Sequence, residues 1–275
     1  MTARHVVVGV DGSVIAVRAL DLAADEAALR ATTLEVVYAV SDLDEASPVL
    51  ASAASRVGHR HPGLPVVTVP AVGHSAAVLA EHGREAALTV VGCRSLGGLA
   101  GTVFGSVSRR LAAHAPGPLL VVSGDSPPRL HNEVLLVLDE EEDADTAVFA
   151  FQEAELRGAA LRILRSSADR HPVPVAVPMP HRRSESTASY LPAGDPSADL
   201  GERHPPVRTG SQDAASTQTL LEATRTADLV VTSCRPRRSG HGRQLGSLTR
   251  TLLHRAHCPV LVVPAGPESA APSAR

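Results

Sequence analysis

Two glycine-bearing segments hold the residues best suited to chemistry. Val90-Val91-Gly92-Cys93-Arg94-Ser95-Leu96-Gly97-Gly98 runs an apolar strand into a glycine-rich loop, and Gly105-Ser106-Val107-Ser108 opens a helix. Glycine lets backbone approach a ligand closely, and the unpaired amides of a helix start favour an anion. The arrangement suits the phosphate tail of a nucleotide, with the Ser106 and Ser108 hydroxyls and Arg94 as further donors. A fainter copy follows, where Val230-Val231-Thr232-Ser233-Cys234-Arg235 leads to Gly246-Ser247. Asp11 is a second candidate, set after Val6-Val7-Val8-Gly9-Val10 and before Gly12-Ser13. Its plainer role, open equally to Ser13, is a helix N-cap. The chain contains no lysine, which excludes a Walker-type loop and Schiff-base chemistry.

The elements that must position these residues alternate. Strands are expected at 5–10, 34–40, 66–69, 88–92 and 119–122, with helices at 14–30, 48–57, 75–84 and 104–114. In the first helix Val17, Leu20, Ala24, Ala27 and Ala28 form the expected buried face. Gly124-Asp125-Ser126-Pro127-Pro128 then reads as a linker, after which the order restarts. Val134 to Leu138 echoes Val6 to Val10, and Asp139 stands where Asp11 stood. A helix is expected at 145–157 and a strand at 161–164. Ala227 to Ser233, Gly246 to Arg255 and Val260 to Val263 repeat the end of the first half. Between them, residues 166–211 are rich in Pro, Ser, His and Arg, and read as a poorly ordered insertion or a heavily altered helix–strand region. The fold class is therefore α/β, with two tandem doubly wound parallel-sheet modules at 1–124 and 130–266.

Composition agrees with that class. The 275 residues are 44% hydrophobic but only 2% aromatic, so Val, Leu and Ala must fill the cores, as suits strands buried on both faces. A net charge of −3 gives no reason to expect nucleic acid or an anionic membrane as partner, and no apolar stretch approaches the roughly 20 residues that span a bilayer. The N-terminal residues lead directly into a strand without a cleavable signal, so a cytoplasmic location is expected. Short basic runs, Arg182-Arg183 and Arg235-Pro236-Arg237-Arg238, lack interleaved aromatics. Cys93 and Cys234 occupy equivalent positions, which invites a redox or metal reading; the simpler one is two small buried residues. The 13 histidines include the close pair His59 and His61, without partners spaced to complete a metal set.

Taken together, Val6 to Ser13, Gly92, Gly105-Ser106 and the apolar fifth strand resemble the universal stress protein family, whose ATP-binding members carry Gly-x2-Gly-x9-Gly-Ser/Thr. The resemblance covers most of residues 4–123 and, more faintly, 131–264. It implies a Rossmann-like fold of the adenine nucleotide alpha hydrolase type, with two modules about a pseudo-two-fold axis and the fifth strands meeting near it. It also implies ATP, with Mg²⁺, held by the first module through Val10, Asp11, Gly12, Ala39, Val91, Gly92, Arg94, Gly105, Ser106, Val107 and Ser108. Asp11 would lie near the ribose or metal–phosphate region, and the Ala39 backbone at the adenine edge.

Ser95 stands where the family motif has its second glycine, with Gly97 and Gly98 close behind. In the second module Ser233 and Pro236 replace both loop glycines, and Glu140-Glu141-Glu142-Asp143 replaces Gly-Ser after Asp139, so weak or absent ATP binding is expected there. The expected role is a stress-response sensor or regulator, with a protein partner not readable from the residues and further homodimerisation as an option. No general base is offered, so hydrolysis would be slow at most. The alternative is a scaffold with a vestigial pocket. Cyclic AMP suits the two phosphate-cradling segments less well than a longer tail does. An ATP-pyrophosphatase would need a Ser-Gly-Gly-x-Asp-Ser loop that Val10-Asp11-Gly12-Ser13 does not supply.

Overall fold

The computed structural model describes residues 5–93, 105–114, 116–123, 131–138, 144–165, 207–209, 216–234, 237–239 and 242–264. In the first half, β1 (Val6–Gly9), β2 (Leu34–Val40), β3 (Val66–Val72), β4 (Leu88–Gly92) and β5 (Leu119–Val122) alternate with α1 (Val14–Leu29), α2 (Ser47–Arg60), α3 (Ser75–His82) and α4 (Ser106–His114). β1, β4 and β5 are short apolar runs buried almost throughout, as central strands covered on both faces require. β3 has only half-buried and exposed residues and tolerates Pro70, because it lies at a sheet edge. α1 starts where the Ser13 hydroxyl accepts from the Ala16 amide at 3.3 Å. Its buried stripe is Ala16, Ala19, Leu20, Ala23, Ala24 and Ala27. The expected stripe therefore shifts: Val17 is half-buried and Ala28 exposed, since an alanine-rich helix offers several faces of similar apolarity.

The second half repeats the plan with β6 (Glu133–Leu138), α5 (Ala144–Arg157), β7 (Ala160–Arg165), β8 (Val207–Thr209), α6 (Thr217–Ala223), β9 (Leu229–Cys234), α7 (Ser247–Arg255) and β12 (Val260–Pro264). The helix α6, a short strand and a hairpin lie outside the elements placed from the sequence. β8 pairs in parallel with β7, Ile163 opposite Thr209, and takes the edge place that β3 holds in the first module. Three residues within a Pro- and Ser-rich background give no periodicity to read. β10 (Arg237–Ser239) and β11 (Gly242–Gln244) form an antiparallel hairpin where the first module has its glycine loop. The rest of the 166–211 insertion lies outside the described residues.

Among the described residues, the ten strands other than the hairpin join one sheet, in the order β3-β2-β1-β4-β5-β12-β9-β6-β7-β8. Every pairing is parallel except β5 with β12, which run antiparallel with Leu120 opposite Leu261. The order is one doubly wound module followed by its two-fold image, joined through the fifth strands as expected. Each face of the continuous sheet carries one core shared by both modules. Val6, Val8 and Val10 face α1 and α2, while Val7, Val37 and Val91 face α3 and α4.

The modules are also tied by charge. Glu26 and Arg30 at the end of α1 meet Glu153 and Arg157 at the end of α5. Arg30 donates to Glu153 at 2.5 Å, Arg157 donates to Glu26 at 2.5 Å, and each arginine also pairs with the glutamate four residues before it. The four side chains keep only 6–16% of their surface exposed. Burial works against the Arg30 charge, but Glu26 and Glu153 outweigh it and hold the guanidinium above its ordinary range. On the opposite face the Cys234 thiol donates to the Ala112 carbonyl of α4 at 2.9 Å.

Candidate functional site

β2, β1 and β4 lie side by side, and their carboxyl ends carry Ala39, Asp11 and Gly92. The winding reverses between β1 and β4, because α1 and α2 cover one face and α3 and α4 the other. Such a switch point is where open α/β sheets leave a crevice for ligands.

The turn after β1 is built locally. The Val10 amide donates to the Val37 carbonyl at 3.0 Å, which carries the chain past the strand end. Asp11 Oδ1 then accepts from the Ser13 amide at 3.0 Å and from its hydroxyl at 2.5 Å. Gly12 sits at φ +75°, where a side chain would be strained. Ser13 takes the N-cap, and Asp11 braces it at the mouth of the crevice.

Gly92 is a packing requirement. A Cβ there would stand 2.9 Å from the Ile15 carbonyl oxygen, so glycine lets the start of α1 lie against the end of β4. Gly105 differs: among the described residues the nearest neighbour to a Cβ would be Ser108 Oγ at 3.8 Å, an ordinary van der Waals contact. The Gly105 carbonyl accepts from the Arg109 amide at 3.0 Å, so the amides of Ser106 and Val107 begin the helix without intrahelical partners.

Ser106 is exposed, whereas Ser108 is 1% exposed and donates its hydroxyl to the Gly92 carbonyl at 3.1 Å. The second module repeats that bond, Thr249 donating to Ser233 at 3.0 Å. Ser108 therefore ties α4 to β4, and this role persists in the module whose loop glycines are gone. Sequence reasoning missed the pairing, although Ser108 and Thr249 occupy the same place in the two halves. Val91 is buried beneath the crevice. Arg94 and Ser95 lie outside the described residues, as do Asp139 and the acidic run after it.

Beside the crevice opens a cavity of about 680 Å³, lined by the start of α3, by α4 from Ser106 to His114, and by Leu245 and Arg250 of the second module. Of the expected site residues it includes Ser106 and Val107. Asp11, Gly12, Ala39 and Gly92 stand at the strand ends and do not line it.

The cysteines are free and buried. Burial pushes the Cys93 thiol up, an effect that the Gly105 amide and Ser108 hydroxyl only partly oppose. Burial and nearby Asp228 push Cys258 up to about 12. No group of ligands suited to a metal occurs among the described residues. With the Cys93 and Cys258 thiolates suppressed and Cys234 buried, the native protein at pH 8 should react with a disulfide reagent far more slowly than a free thiol, and release three equivalents only on denaturation. Rapid native release of one equivalent would contradict this.

Comparison with known proteins supports the assignment of the fold. The model of the universal stress protein family matches twice, over residues 2–123 and 131–264. A universal stress protein of Mycobacterium tuberculosis is 34% identical over 284 residues, covering 94% of this chain and 96% of its own. One from Mycolicibacterium smegmatis is 29% identical, with 94% and 96% covered. Among solved structures, a universal stress protein from Archaeoglobus fulgidus aligns over 97% of this chain and all of its own, with a TM-score of 0.62 at 17% identity. Among the described residues no helix is long and apolar enough to cross a membrane. Two family matches, two copies of one winding and one shared sheet agree: the chain belongs to the universal stress protein family, as a tandem two-module member.

Proposed function

We propose that the first module binds ATP, with Mg²⁺, and that the protein acts as a stress-response sensor or regulator without efficient catalysis. The observation that carries this reading is the convergence of Asp11, Ala39 and Gly92 on one switch point, with the start of α4 held to the end of β4 by the Ser108–Gly92 bond. The adenine would lie along the Ala39 backbone and the ribose near Asp11. The phosphates would meet the amides of Ser106 and Val107 and the Ser106 hydroxyl, close to Gly105, with Mg²⁺ beside them. Arg94 would add charge from the loop. Ser108 serves indirectly, by fixing the helix whose amides are used.

The second module supports a stoichiometry of one. Its position equivalent to Gly92 is the buried Ser233, and a hairpin occupies the place of the loop. Calorimetric titration of ATP and Mg²⁺ into the nucleotide-stripped full-length protein tests the reading. About one site per chain is expected, lost in Gly105→Glu. Absence of saturable binding would favour a scaffold with a vestigial pocket.

A further inference from the structure

The cavity beside the crevice gathers charge from both modules. Its walls carry Arg109 and Arg110 of α4 and Arg250 of α7, with His74 and His114 beside them and no carboxylate among the described lining residues. These three arginines have no ion-pair partner among the described residues, whereas Arg30, Arg56, Arg157 and Arg162 all pair with carboxylates. Three guanidiniums around one space repel each other unless an anion enters. Arg109 and Arg250 also hold the same place in their helices, the third residue after Ser106 and after Ser247. The pseudo-two-fold thus brings two copies of one residue to a single cavity.

The β10–β11 hairpin adds an independent observation. It stands where the first module has its glycine loop, yet it lies against α4 of that other module, and Leu245 just after it walls the cavity. A segment that would have served the second module's own site is spent on the first module's helix.

We infer that this cleft is an anion site completed jointly by the two modules, and that it takes a phosphate chain. Its volume falls within the roughly 300–1,000 Å³ of small-ligand sites. Planar guanidiniums engage phosphate oxygens two at a time. The chain is either free inorganic polyphosphate or the tail of a nucleotide. The chemistry is common to both, and it does not depend on the strand-end crevice being filled.

The test is titration of inorganic tripolyphosphate into the nucleotide-stripped full-length protein at low salt. One saturable site is expected, weakened about tenfold or more by Arg250→Ala and likewise by Arg109→Ala, and weakened again as salt rises. Both arginines are exposed, so an unchanged urea midpoint verifies that the variants are folded. Displacement of tripolyphosphate by ATP identifies a nucleotide tail, and simultaneous binding identifies a free chain; either supports the site. Tripolyphosphate binding where the ATP titration fails also leaves the cleft standing. No saturable binding, or an Arg250→Ala protein that titrates like the parent, overturns the inference. Inert tripolyphosphate with Arg250-dependent binding of a poly-glutamate peptide overturns it in favour of a protein-docking surface.

Discussion

Replacing Glu26 by glutamine is expected to lower the unfolding free energy by about 3–5 kcal/mol, and Glu153→Gln by a similar amount. Each glutamate receives both Arg30 and Arg157, and all four side chains are largely buried between α1 and α5. Removing one negative charge leaves two guanidiniums facing each other with half of their compensating charge, and puts an amide NH2 where an acceptor stood. The desolvation already spent on those cations is then uncompensated. Urea denaturation should show the loss as a lower midpoint, with little salt dependence because the pairs are shielded from solvent. A loss below about 1 kcal/mol would mean that the ring behaves as a surface ion pair.

The quadruple variant Glu26→Leu, Arg30→Met, Glu153→Leu, Arg157→Met makes the opposite point. With no charge left to desolvate, its stability should match or exceed that of the parent. If single losses are severe and joint loss is mild, the ring acts mainly by selecting one docking of the modules. A shifted docking would separate the two pairs and strand four buried charges, while apolar contacts alone discriminate such shifts weakly. The antiparallel β5–β12 seam fixes the register of the sheet, and the ring fixes the helices above it.

That ring marks the boundary of what was legible. The strands were readable because a parallel sheet covered on both faces writes itself as continuous apolar runs, and Leu34–Val40, Leu88–Gly92 and Leu119–Val122 fell where expected. The restart at β6 was readable because repetition needs no chemistry to detect. Glu26 and Glu153 were not, since a charged residue on a helix normally faces water. The available signal was the spacing Glu-x3-Arg at the end of the first helix in both modules. β8 was too short to carry a pattern. The cavity arginines escaped because their meeting depends on how α4 and α7 sit across the seam, which no local pattern encodes. Asp11, Ala39 and Gly92 converged as expected because strand order alone brings their ends together.

Gly92 and Gly105 look alike in the motif, and the structure separates them. Gly92→Ala is expected to cost about 1–3 kcal/mol, the range for overpacking, because its Cβ would meet backbone that cannot rotate away, the Ile15 carbonyl at 2.9 Å. The strand end itself accepts a side chain, as Ser233 shows at the equivalent place, so the penalty belongs to the close approach of α1. Among the described residues Gly105→Ala meets nothing nearer than 3.8 Å, and only the exchange of glycine for alanine at an N-cap remains, less than about 1 kcal/mol. Its methyl group would, however, stand at the amides proposed to hold the phosphates. ATP affinity should therefore fall at least about tenfold in Gly105→Ala while the urea midpoint barely moves, a loss of about 1.4 kcal/mol in binding alone. In Gly92→Ala, stability and affinity should fall together, because the turn that presents Asp11 is carried on the displaced start of α1. Parallel urea and ATP titrations of the two variants decide the matter. If Gly105→Ala binds ATP as the parent does, the start of α4 is not the phosphate end, and the glycine there only begins a helix.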